Sequence, residues 1–181
     1  MFRRTAFGIA LSLLVLGSGL TTIPVPGHTS TKKTTGGQTN LNTSNLLTKL
    51  TSFHASLIEK SVFEKINHYR VRRGLKKLAL NGTISRQARY HSQNMALKKV
   101  PLSHQGFKQR VSVIPIPYNS ASENVAYNQG YSDPAAQAVE AWLNSHKHLE
   151  NIQGSFHLTG VGVAINDRRQ VYITQIFLRT K

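Results

Sequence analysis

The sequence predicts an α+β domain, on three observations. Leu57, Ile58, Val62, Phe63, Ile66 and Tyr69 recur at the spacing of one helix face. Asp133-Pro134 places an N-cap residue before a proline at the first helical position, opening a second helical run through Ala138, Val139, Trp142 and Leu143. Residues 157–165 and 170–178 alternate as two strands joined around Asn166-Asp167, which reads as a hairpin. Helices and an antiparallel hairpin in one small domain give the α+β class.

In chain order, the first helix ends before Gly74, and Leu75, Leu78 and Leu80 follow in a short connection closed by Asn81-Gly82. The Asn81-Gly82-Thr83 run is a glycosylation sequon by pattern, and an ordinary turn is the simpler reading. A helix is expected from about Ser85 to Lys98, with Ala88, His91 and Met95 near one face. Residues 103–122 read as loop, since Pro115 and Pro117 exclude a regular helix there. The helix opened by Pro134 is expected to run to about Ser145.

The N-terminal part is different. Arg3 and Arg4 precede an apolar run from Ala6 to Leu16, which reads as an export signal or an uncleaved anchor over residues 1–27. Either places the rest of the chain outside the cytoplasm. Residues 28–54 are rich in Thr, Ser, Asn and Gly, and are expected to form a flexible linker ahead of a domain at 55–181.

Composition narrows the chemistry. The 181 residues include 23 Lys+Arg against 7 Asp+Glu, a net +16, with 8 His and no Cys. No thiol nucleophile, disulfide or Cys-ligated zinc can therefore exist. Residues 57–181 hold 18 Lys+Arg and all 7 acids, so the domain itself carries +11. Anionic cell-envelope polymer or a lipid headgroup surface is the expected partner. Nucleic acid is disfavoured, because no recognition motif or interleaved aromatics accompany the basic residues. The densest basic cluster is Arg70, Arg72, Arg73, Lys76 and Lys77, at the end of the first helix.

Several segments, in order, resemble one family. They are Asn67-His68-Tyr69-Arg70 with Gly74-Leu75 and Leu78; His91-Ser92-Gln93-Asn94-Met95-Ala96; Ser103-His104; and Glu123-Asn124-Val125-Ala126-Tyr127. Residues 141–152, 160–164 and 172–177 complete the series. Together they resemble the CAP superfamily of cysteine-rich secretory, antigen 5 and pathogenesis-related proteins, in its small bacterial secreted branch. The resemblance implies a three-layer α-β-α sandwich with a central antiparallel sheet and an open groove. It implies a site of His104, Glu123 and His148, the histidines binding a divalent metal in some members. The position of a second family glutamate, three residues after the tryptophan, is Ser145 here, and Ser122 replaces the usual glycine before Glu123. Ser145 is expected to contribute to binding. Gln175 is too, with Thr174 supporting the site from behind.

The residues alone are compatible with this. Two imidazoles and a carboxylate can hold Zn²⁺ with a position left for water, or without metal can act as an acid-base set. Ser145 and His148 are three apart, hence on one face of any helix containing both. His146 and His148 point about 200° apart on a helix, so His146 is left out of the site. His91 reads as a packing and hydrogen-bonding residue, and Glu140 as part of a solvated helix face. Two functions remain open: a module whose groove binds a lipid, sterol-like or glycan ligand, and a metal-dependent hydrolase of extracellular peptide or envelope polymer.

Overall fold

The structure, a computed structural model, describes residues 37–181, with side chains from residue 42 onward. The expected signal or anchor at 1–27 and the first part of the expected linker lie outside the described residues.

The first helix, α1, spans Gly37–Arg72. Its second half follows the apolar pattern, burying Val62 and Ile66 with Ile58, Phe63 and Tyr69 packed beside them. Its first half corrects the expected linker, because from residue 37 onward the chain is helical. No proline or glycine interrupts residues 38–73, so a helix nucleated by the packed half propagates backwards at the cost of one residue per hydrogen bond. Thr48 and Thr51 lend their hydroxyls to carbonyls four residues back, those of Ser44 and Leu47. Leu46, Leu50 and Phe53 stay more than half exposed on this extension.

After α1, Asn67 clamps Leu78 by donating to its carbonyl and accepting from its N–H. Strand β1 (Ala79–Leu80) follows. Helix α2 (Gly82–Ala96) starts three residues before the expected position because Asn81 caps it, accepting from the N–H groups of Thr83 and Ile84. The expected loop at 103–122 contains a short helix, α3 (Phe107–Ser112), and the start of a strand, β2 (Tyr118–Asn128). Strand β2 carries polar residues on both faces, so its sequence shows no period of two; ten paired residues along the last strand define it instead.

The helix capped by Asp133, α4 (Pro134–Leu143), stops short of Ser145, and a separate helix α5 (His146–Gln153) begins after that residue, which is extended. Strands β3 (Leu158–Ile165) and β4 (Val171–Thr180) form the expected antiparallel hairpin, Ile165 opposite Val171.

The sheet order is β1-β3-β4-β2, antiparallel except for the two-residue β1–β3 pair. One face, through Val161, Val163, Ile173 and Phe177, packs on α1, α4 and α5. The other, through Ile176 and Leu178, packs on α2 and α3. This is the three-layer α-β-α arrangement. The α2 side is unusually close: a Cβ at Gly160 would run into the backbone of Ile84 and Ser85, and one at Gly162 into that of Ala88 and Arg89. Only glycine lets helix and sheet approach so nearly.

Candidate functional site

Glu123 lies on edge strand β2, its side chain only 1% exposed. A buried carboxylate needs compensating partners. Arg110 of α3, itself buried, supplies them: Nε donates to Oε2 at 3.1 Å, and Nη2 reaches both carboxylate oxygens at 2.8 Å. The remaining Arg110 nitrogen, Nη1, donates to the Gln105 carbonyl at 2.7 Å, fastening the loop that carries His104. His104 then places Nδ1 3.0 Å from Glu123 Oε1 while its ring is 53% exposed. A carboxylate oxygen accepts, so His104 donates through Nδ1, and Nε2 is the ring nitrogen not engaged by Glu123.

His148 sits on α5, half-buried. Its Nδ1 is 2.9 Å from the hydroxyl of Ser145, the residue just before the first turn of that helix. Asn124 donates to the His148 carbonyl, and Asn151 donates to both Asn124 Oδ1 and the Glu123 carbonyl. Neighbours on a strand point to opposite faces. Glu123 thus reaches towards α3 and His104, while Asn124 reaches towards α5 and the His148 carbonyl, so both histidines flank β2, near enough to influence each other electrostatically. Burial lowers the His148 pKa below its ordinary value, and the nearby His104 lowers it further. His148 is therefore neutral at pH 7 and able to act as a ligand.

The structure brings His104, Glu123, His148 and Ser145 together. It bears on two expectations about their roles. Both Glu123 oxygens already accept hydrogen bonds from Arg110 and His104, and among the described residues no three His, Asp or Glu side chains form a metal-holding group. Gln175 is not a groove residue. It is fully buried opposite Asn124, on the sheet face away from Glu123, and donates to Thr159 Oγ1. Thr174 bonds Ser92 of α2 and so ties helix to sheet.

Other expectations hold. His91 is buried, its Nε2 2.7 Å from the Ser103 carbonyl, one residue before His104. Burial is the main cause of its lowered pKa. His146 is exposed and faces Glu150. Trp142 is core, its indole donating to the Val125 carbonyl. Arg110 was the residue that sequence reasoning missed. A buried carboxylate needs a partner, but nothing local in the sequence says which base supplies it.

The fold agrees with comparison to known proteins. Residues 63–177 match the Cysteine-rich secretory protein family, CAP. The chain belongs to the CAP family. An uncharacterized membrane protein of Bacillus subtilis, YlbC, is 34% identical over 125 residues, covering 67% of this chain and 34% of that protein. The CAP fold also recurs in an extracellular SCP-domain protein of Bacillus anthracis, at TM-score 0.58 and 27% identity over 70% of this chain and 41% of that one. An outer surface protein of Borrelia burgdorferi has the same fold at TM-score 0.60 and 20% identity, covering 68% of this chain and 93% of that one. The chain thus spans less than half the length of these two Bacillus relatives. Among the described residues no helix is long and apolar enough to cross a membrane.

Proposed function

We propose that this CAP domain is an extracytoplasmic binding module, holding a divalent cation between His104 and His148 beside a groove for a lipid, sterol-like or glycan ligand. The location is supported by the charged and apolar N-terminal pattern and by the extracellular B. anthracis relative. One observation carries the preference for binding over catalysis: the site's single carboxylate has both oxygens engaged by a buried arginine and a histidine. A general base must present a free oxygen to the proton it takes. Glu123 instead orients His104.

The two imidazoles suit a metal. Each has Nδ1 tethered, one to a carboxylate and one to a hydroxyl, which fixes the ring and turns Nε2 outward. Zn²⁺ accepts such donors and would keep positions open for oxygens of a bound ligand. A second reading, a metal-dependent hydrolase, draws on those same open positions, where bound water would be acidified.

Calorimetric titration of the full chain with Zn²⁺, beside a His104→Ala/His148→Ala double variant, tests the site. One site, lost in the variant, is expected; equal binding by both proteins, or none, overturns it. His104→Ala separates the readings. A binding module keeps its ligand and shows no turnover before or after the change, whereas turnover on peptide or envelope polymer that vanishes with His104→Ala would establish the hydrolase.

A further inference from the structure

The basic cluster at the end of α1 divides once folded. Arg70 is 2% exposed, and its guanidinium donates to the carbonyls of Lys76, Ile152 and Gly154. It secures the end of α5 and is unavailable to any partner. Its neighbours behave differently. Lys65, His68, Arg72 and Arg73, with Tyr69 and Leu143 of α4, line a cavity of about 500 Å³ on the surface. Positions 65, 68, 69, 72 and 73 share one helix face.

We propose that this concave basic face binds a linear phosphodiester polymer, one strand lying along the last two turns of α1. Charge complementarity is the first argument. Four cationic or protonatable side chains converge there; of these Lys65 is paired with Asp133 at 3.4 Å, and Glu64 stands one turn before His68. No acidic side chain is bonded to Arg72 or Arg73 among the described residues. Preorganisation is the second. The Arg73 guanidinium lies 5.4 Å from the centre of the Tyr69 ring, and the Tyr69 hydroxyl accepts from Gln153, so the platform under the guanidinium is fixed from the α5 side. A stacked guanidinium keeps its N–H groups free for phosphate oxygens in their preferred forked geometry.

The shape selects the kind of polyanion. A bilayer surface is flat and would seek exposed apolar side chains to insert, whereas this face is a hollow whose apolar contribution is Leu143 and the edge of Tyr69. A duplex is too bulky for a hollow of this size. A flexible single chain with phosphates at short intervals can enter it. The face is independent of the two-histidine site, so His104→Ala should bind the polymer unchanged.

The test uses the full chain and poly(glycerol phosphate), with a single-stranded oligonucleotide of equal charge and vesicles of anionic lipid as the other two ligands. Affinity for poly(glycerol phosphate) should fall at least tenfold in Arg72→Glu/Arg73→Glu. A control with the same charge change elsewhere, Lys108→Glu/Arg168→Glu, should lose no more than threefold. Arg72→Gln/Arg73→Gln gives the same direction if the reversal disturbs the helix end. The dependence of affinity on salt should also become shallower in the α1 variants, because fewer counterions are released. Equal losses in the two charge-reversed proteins would overturn the proposal, since binding would then follow net charge alone. Tighter binding to vesicles, or to the oligonucleotide by tenfold or more, would overturn it in favour of a membrane or nucleic-acid surface.

Discussion

The two histidines are held in the same way by opposite means. Each has Nδ1 bonded and Nε2 free, but His104 is held by a buried ion pair reaching across three elements, and His148 by a hydroxyl three residues before it. The first tether depends on Glu123 and Arg110 remaining together in a place where neither tolerates being alone. The second is made within one turn of α5. The comparison teaches that donor geometry and cost of assembly are separate. The exposed imidazole rests on the buried and costly foundation, while the half-buried one rests on a single local bond.

The largest effect should come from breaking the costly foundation. Arg110→Met leaves the buried Glu123 without its guanidinium partner, and should destabilise the domain by about 3–5 kcal/mol in urea denaturation. Ser145→Ala should cost about 0.5–1.5 kcal/mol, the worth of one ordinary hydrogen bond. Similar losses in the two variants would break the comparison. Replacing both partners, Arg110→Met with Glu123→Leu, should recover most of the stability, because a buried pair is worth little against apolar residues of like volume. It should still weaken Zn²⁺ binding by about 10–100-fold, since His104 loses the bond that orients it. Recovery of metal binding along with stability would show that the carboxylate does not position the ring.

The smaller effects concern protons. Burial lowers the pKa values of both His91 and His148 in the fold. The unfolded chain therefore takes up protons that the fold refuses, and stability should be full above the ordinary histidine pKa of about 6.5 and fall as pH drops below it. His91→Gln, which can keep the bond to the Ser103 carbonyl, should flatten that decline, and unchanged acid sensitivity would remove His91 as a cause. The finest test follows His148 by NMR in His104→Ala. Loss of the neighbouring imidazole should move its titration up towards the ordinary value; no movement would mean that the two rings do not sense each other.

How much of this could be read from the sequence follows the reach of each interaction. His104, Glu123, His148 and Ser145 stand in short segments with a recognisable order, and the Ser145–His148 contact is a consequence of spacing three. Arg110 was out of reach because its partner is thirteen residues away, across a stretch whose helix and strand are defined by tertiary pairing. The misplacement of Gln175 has the same root. Its face relative to Glu123 depends on the β2–β4 register, and a strand spelled Tyr-Asn-Ser-Ala-Ser-Glu-Asn-Val offers no alternation from which to infer register. The helical extension before residue 57 was hidden for a different reason: it buries little, so its apolar residues form no core pattern to detect.

The Trp142 indole and the Asn151 amide donate to the Val125 and Glu123 carbonyls, which both point outward from β2. On the far side of the sheet, where β1 stops after two residues, Glu59 of α1 accepts from the Val163 N–H while it pairs with Arg89. Side chains therefore take over part of the hydrogen bonding that a further strand would supply at each rim. A peptide that recruits by β-augmentation meets occupied groups at these points. The same contacts guard the sheet rims against edge-to-edge aggregation at these points.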